Sequence, residues 1–91
     1  MTNVRGYSDD LVYIERNSVA TEIPCEANET IGIEFEDGTV ISITYGVRYA
    51  IWTIRIIKRG TAAATLDMCA SHDEAIYSDS FTIDSKVKGV L

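Results

Sequence analysis

The residues that chemistry would most readily use are few and scattered. His72 is the only histidine. Cys69 and His72 have the C-x-x-H spacing that can begin a metal site, with Asp73 and Glu74 beside them. A zinc centre takes three or four protein ligands, however, and Cys25 would have to complete the set from far away in the chain. A Ser-His-Asp set would need a loop histidine with no nucleophile-elbow motif around it. Asp9-Asp10 and Asp73-Glu74 are paired carboxylates, useful for acid–base work only if buried; in polar turns such pairs are solvated or capping. The six glycines stand singly, so no phosphate-cradling loop is present. The expectation is a protein that is not an enzyme, with no catalytic residue, no metal and no cofactor.

Charge carries the stronger signal. Residues 17–47 hold six acidic side chains and no basic one: Glu22, Glu26, Glu29, Glu34, Glu36 and Asp37. The other 60 residues hold eight acids and eight bases, so this stretch accounts for the whole formal charge of −6. Residues 48–66 then carry Arg48, Arg55, Lys58 and Arg59 without an acid. Such a balance repels phosphate, which excludes nucleic acid as a direct ligand, and attracts a basic partner. The six acids are therefore the candidate partner-binding residues, spaced like the charges of a nucleic acid backbone and suited to the Lys/Arg groove of another protein. The plainer reading is a wet face of an antiparallel sheet. The basic strip is expected beside acids of neighbouring strands, or against the acidic face of a second copy in a homodimer.

The elements that must position these residues are strands. Ninety-one residues (1–91) make one β-rich domain with room for a single core. Its apolar residues are rich in isoleucine, whose branched side chain packs well on a pleated surface. The clearest element is 31–45, where period-two alternation surrounds Asp37-Gly38. A two-residue turn there would set Phe35 opposite Val40 and mix the faces. A three-residue loop, Glu36-Asp37-Gly38, instead sets Phe35 against Thr39, Ile33 against Ile41 and Ile31 against Ile43, with Gly38 left-handed in a bulge. That register places Glu34 and Glu36 on the wet face beside Ser42 and Thr44.

Residues 50–58 are apolar on both faces, the pattern of a central strand and so the backbone of the sheet, with Trp52, Ile54 and Ile56 together and Trp52 as core anchor. Gly60 ends this strand. Residues 11–15 and 19–23 read as two earlier strands joined by Arg16-Asn17-Ser18, and Pro24 stops the second. Residues 61–70 read as loop then strand. Ser71-His72-Asp73-Glu74 has capping-box spacing, which predicts one helical turn through Ala75 to Tyr77. Residues 80–84 and 86–88 are late strands, the last an edge blunted by its lysines. Tyr7-Ser8-Asp9-Asp10-Leu11 is echoed by Tyr77-Ser78-Asp79-Ser80-Phe81, a shared turn device or a pair of polar loops at one end of the sheet. No apolar run reaches membrane-span length and the N-terminus lacks a signal-peptide core, so no membrane contact and a cytoplasmic setting in the host cell are expected. Cys25 and Cys69 are then expected as free thiols.

Gly6-Tyr7-Ser8-Asp9-Asp10-Leu11-Val12, Phe35-Glu36-Asp37-Gly38-Thr39-Val40, Ile51-Trp52, Gly60-Thr61-Ala62 and Ile76-Tyr77-Ser78-Asp79 together give the chain a likeness over most of its length. It resembles a group of small uncharacterised proteins carried by phages and prophages of enteric bacteria. The resemblance implies a setting in which small proteins bind host machinery, including as anti-CRISPR or other anti-defence inhibitors. The expected fold is all-β or β-rich α+β: an antiparallel curved sheet or small barrel-like sandwich with one short helical turn. The expected function is a non-enzymatic protein-interaction module, an inhibitor that meets a basic host surface with its acidic hairpin. The alternatives are a self-associating structural or assembly protein of a phage, and a small ligand-binding protein or enzyme.

Overall fold

A computed structural model describes residues 1–7, 10–66, 75–77 and 80–91, with backbone alone at 49, 66 and 75–77. These residues form two antiparallel five-stranded sheets. The first runs β3 (Val19–Pro24), β2 (Leu11–Arg16), β1 (Thr2–Tyr7), β9 (Ser80–Ile83), β7 (Ala64–Leu66). The second runs β10 (Val87–Val90), β4 (Thr30–Phe35), β5 (Val40–Gly46), β6 (Ile51–Lys58), β8 (Ala75–Tyr77). The all-β expectation holds, and the sheets are open at their edges rather than closed into a barrel. No helix among the described residues is long and apolar enough to cross a membrane.

Each sheet gives one face to a shared core. Val4, Val12, Ile14, Phe81 and Ile83 come from the first; Ile33, Phe35, Ile41, Ile43, Trp52 and Ile54 come from the second. The Phe35 and Phe81 rings meet across the gap with centroids 5.7 Å apart, a favourable tilted pair. Trp52 lies directly on Gly6, whose missing side chain makes its room: a Cβ there would come within 2.0 Å of the indole.

The hairpin register is the one that joins the apolar faces. Ile33 pairs with Ile41 and Ile31 with Ile43, while the Phe35 amide donates to the Thr39 carbonyl at 2.8 Å. Gly38 has φ +97°, and a Cβ on it would meet nothing within 4 Å. Trp52, Ile54 and Ile56 share the buried face of β6, which is interior between β5 and β8. The β2–β3 hairpin turns on Asn17 and Ser18, both left-handed at φ 51° and 65°.

Three expectations change. Residues 2–7 form the central strand of the first sheet, where no strand was expected. Val4 is the only aliphatic residue of that strand, so periodicity gave little warning. The helical turn through 75–77 is instead strand β8, pairing Thr53 with Tyr77 and Arg55 with Ala75; an open edge on β6 outweighs a local capping preference. Helix appears elsewhere, as one 3-10 turn at Val47–Tyr49. Two members of the basic strip also have different cross-strand neighbours: Arg55 stands opposite Ser42 and Lys58 opposite Val40, not opposite acids. The capping box at 71–74 and the Ser-Asp pairs of the echo, 8–9 and 78–79, lie outside the described residues.

Two substitutions test this frame. Gly38→Val should cost about 1–2 kcal/mol from backbone strain alone, since its surroundings are empty. Urea denaturation showing no loss would reject the left-handed loop. Gly6→Ala should cost about 1–3 kcal/mol by overpacking, and much less when Trp52→Ala has already removed the ring. Additive losses in that double-mutant cycle would separate the two residues.

Candidate protein-interaction edge

The structure does not gather the six acids on one wall. Glu22 lies on β3 in the first sheet, exposed and opposite Tyr13. Glu26 and Glu29 sit in the loop that crosses to the second sheet, where the Glu26 amide donates to Glu29 Oε2 at 3.2 Å. Glu34 is on the outer face of the second sheet, 3.9 Å from Lys88 Nζ. Glu36 and Asp37 occupy the β4–β5 turn, and the Glu36 amide donates to the Lys86 carbonyl. The division follows from topology. Residues 17–47 leave one sheet, cross an end of the sandwich and run the length of the other.

Asp37 is a structural clamp. Its Oδ1 accepts from the Thr39 amide at 3.0 Å, and its Oδ2 accepts from the Thr39 hydroxyl and the Ala62 amide, each at 2.8 Å. Thr39 Oγ1 in turn accepts from the Gly60 amide at 2.9 Å, tying the loop after β6 to the hairpin. Burial pushes the Asp37 pKa up, but the Ala62, Thr39 and Thr61 hydrogen bonds outweigh it and hold the carboxyl below its ordinary value.

Cys25 is free and fully buried, where its thiol reaches the Glu29 carbonyl at 3.5 Å. Burial pushes its pKa up, a Tyr45 backbone hydrogen bond opposes that, and the Glu29 charge adds to the rise. A thiol so placed is a small core residue rather than a nucleophile. Cys69, His72, Asp73, Glu74 and Asp9 lie outside the described residues.

Glu22, Glu26 and Glu29 do share a neighbourhood: the free edge of β3 and the loop that continues it. Among the strands with a described burial pattern this edge is the most exposed, with five of its six residues open to solvent and Ile23 half-buried. Its hydrogen-bonding pattern follows from the two-residue turn. Arg16 and Val19 flank that turn and pair directly, so alternate pairs Ile14–Thr21 and Val12–Ile23 carry the ladder bonds. The Cys25 amide bonding the Asp10 carbonyl at 2.9 Å continues the same alternation. The N–H and C=O groups of Ala20 and Glu22 therefore point away from β2, with no strand beyond them among the described residues. The next outward position is Pro24, which has no N–H and ends the open run.

The outer face beside this edge carries large polar and aromatic groups. Across the strands, Arg5, Tyr13 and Glu22 form one row and Asn3, Glu15 and Ala20 the next. Arg5 stacks over the Tyr13 ring at 4.9 Å, and Tyr7 lies 6.1 Å from Tyr13, centroid to centroid. Exposed tyrosine and arginine are the residue types enriched at interface centres. The outer edge of the second sheet is defended: β10 has a bulge between Val87 and Gly89, carries Lys88 and is preceded by Lys86. Sequence reasoning stopped at Pro24 as a strand end. Proline in a strand also marks an edge, and that was the available signal for β3.

Comparison with protein-family models, with curated proteins and with solved structures finds no match.

Asp37→Asn should cost about 1–2 kcal/mol at neutral pH through weakened charge-assisted hydrogen bonds. The depressed folded-state pKa gives stability that is complete above the ordinary carboxylate pKa and lost as pH falls through the folded value. The stability gap between parent and variant should therefore close in acid. A gap unchanged down to the acid limit of folding would reject the clamp.

Proposed function

We propose that the chain is a non-enzymatic protein-interaction module that takes an extended, cationic segment of its partner onto the free edge of β3. The observation that carries this reading is the pair of outward-facing backbone sets at Ala20 and Glu22, on a long edge with neither bulge nor lysine. Strand addition of this kind draws affinity from main-chain hydrogen bonds and selectivity from alternate side chains. A basic side chain opposite Glu22 meets its carboxylate, and one opposite Ala20 reaches over that small residue toward Glu15. Glu26 and Glu29, continuing past Pro24, add to the field that draws a basic partner in.

The likeness to small phage and prophage proteins supplies a setting. There the module is an inhibitor, of anti-CRISPR or other anti-defence type, and the partner is a host protein with a basic surface. Self-association through the same edge is the competing reading. Two-fold pairing about Thr21 would align the backbones well, but it would bring Glu15 and Glu22 of both copies onto one face. That arrangement is disfavoured at low salt.

The test is amide NMR with an alternating lysine–valine peptide and its glutamate–valine counterpart. The lysine peptide should shift the Ala20 and Glu22 amides and slow their exchange, while the glutamate peptide leaves them unchanged. Ala20→Pro removes an outward N–H without touching the β2 ladder, so it should weaken binding about tenfold with folding intact. Glu22→Lys should weaken it most at low salt. Shifts that centre on another face, or equal responses to the two peptides, would overturn the proposal. A concentration-dependent dimer that protects the same amides would assign the edge to self-association.

A further inference from the structure

The inner side of β3 presents different chemistry from its edge. Between β3 and β10, where both sheets end, runs a groove of about 230 Å³. Its apolar walls are Ile14, Val19 and Val87, and its polar groups are Arg16, Lys86 and the hydroxyl-bearing Thr2 and Thr21. Val19 is left 69% exposed there. In a chain of net charge −6, this groove is lined by two cations and no carboxylate.

Arg16 is held by a hydroxyl rather than by an internal acid. Its Nη1 donates to Thr2 Oγ1 at 2.9 Å, and the Thr2 hydroxyl donates in turn to the Ser85 carbonyl. Thr2 is fully buried, so this chain fixes the guanidinium against the inner face. Arg16 Nε is buried and has no acceptor. Buried donors without acceptors are rare in folded proteins and call for an explanation. With Nη1 on Thr2 and Nε turned inward, Nη2 is the nitrogen left to make a charge-assisted hydrogen bond with a carboxylate in the groove. Lys86 adds a second positive charge at the rim.

We infer that this groove binds a small carboxylic acid with a short apolar chain, its carboxylate on Arg16 and Lys86 and its chain against Ile14, Val19 and Val87. The volume matches roughly seven or eight waters, enough for a few carbons and a carboxylate. The site lies on the inner face of β3, so it is independent of the strand-addition reading, which uses the outward edge.

The experiment is an NMR titration of the full chain with hexanoate, with hexylamine and hexanol as matched probes. Hexanoate should shift the Arg16, Val19 and Val87 amides in a saturable way, and the other two should not. Arg16→Gln should weaken hexanoate at least tenfold, with circular dichroism reporting the fold. If that variant unfolds, Lys86→Ala at the exposed rim should still weaken binding several-fold. Ala20→Pro, which disables the edge, should leave hexanoate binding unchanged. No groove shift at 10 mM hexanoate, roughly the weak limit of a useful site, would overturn the inference, as would an equal response to hexylamine. Binding of a peptide through its free C-terminal carboxylate, with hexanoate inactive, would overturn the small-acid assignment.

Discussion

Two aromatic contacts set how the sheets meet, and the rest of the molecule accommodates them. Phe35 on Phe81 joins β4 to β9, and Trp52 on Gly6 joins β6 to β1. Both act on interior strands, so the inner faces close tightly over β1, β9, β4, β5 and β6. The sandwich does not extend that cover to β3. A 91-residue chain divided into two five-stranded sheets has too little apolar surface to seal every edge. The exposure of Val19 and the groove behind it are consequences of where the core ends.

The sandwich is held at its ends by polar groups, not by more core. Asp37 and Thr39 fasten the loop after β6 to the β4–β5 turn. Ser85 links both sheets, taking a hydrogen bond from Thr2 on its carbonyl and one from the Asp37 amide on its hydroxyl. Cys25 and Asn28 do the same at the other end, their amides bonding the Asp10 and Tyr45 carbonyls. Among the acids of the crossing segments, Asp37 and Glu29 put their carboxylates to structural work. A run of acids in sequence becomes a dispersed set in space.

What the sequence made legible was whatever a local rule could fix. The Asp37-Gly38 hairpin was readable to the residue, because only one loop length puts Ile33 and Phe35 on the same side as Ile41 and Ile43. Trp52 as a core anchor was readable from the alternation around it. β1 was not, because its burial depends on Gly6 leaving room for a ring 46 positions later in the chain, a purely tertiary fact. The strand at 75–77 was masked by a capping pattern whose local preference is weaker than an unfilled edge on β6. The candidate site was legible only in part. Glu22, Glu26 and Glu29 were named for their charge, while the edge beside them depended on strand order.

The two sides of β3 divide the charge of the molecule in a way that net charge alone conceals. Arg16 and Glu15 are adjacent in sequence, yet strand alternation sends one to the inner groove and the other to the outer face. The outer side thus offers carboxylates beside open backbone groups, and the inner side offers cations over an apolar floor. On the two proposed readings, one six-residue strand would serve two ligands of opposite charge without their competing for a side chain. The arrangement requires that β3 keep its register on β2. A one-residue slip would exchange the two faces, placing Glu22 over the groove and Val19 on the outer face. The left-handed Asn17-Ser18 turn fixes that register, so the smallest loop of the first sheet sets the electrostatics of its most exposed strand.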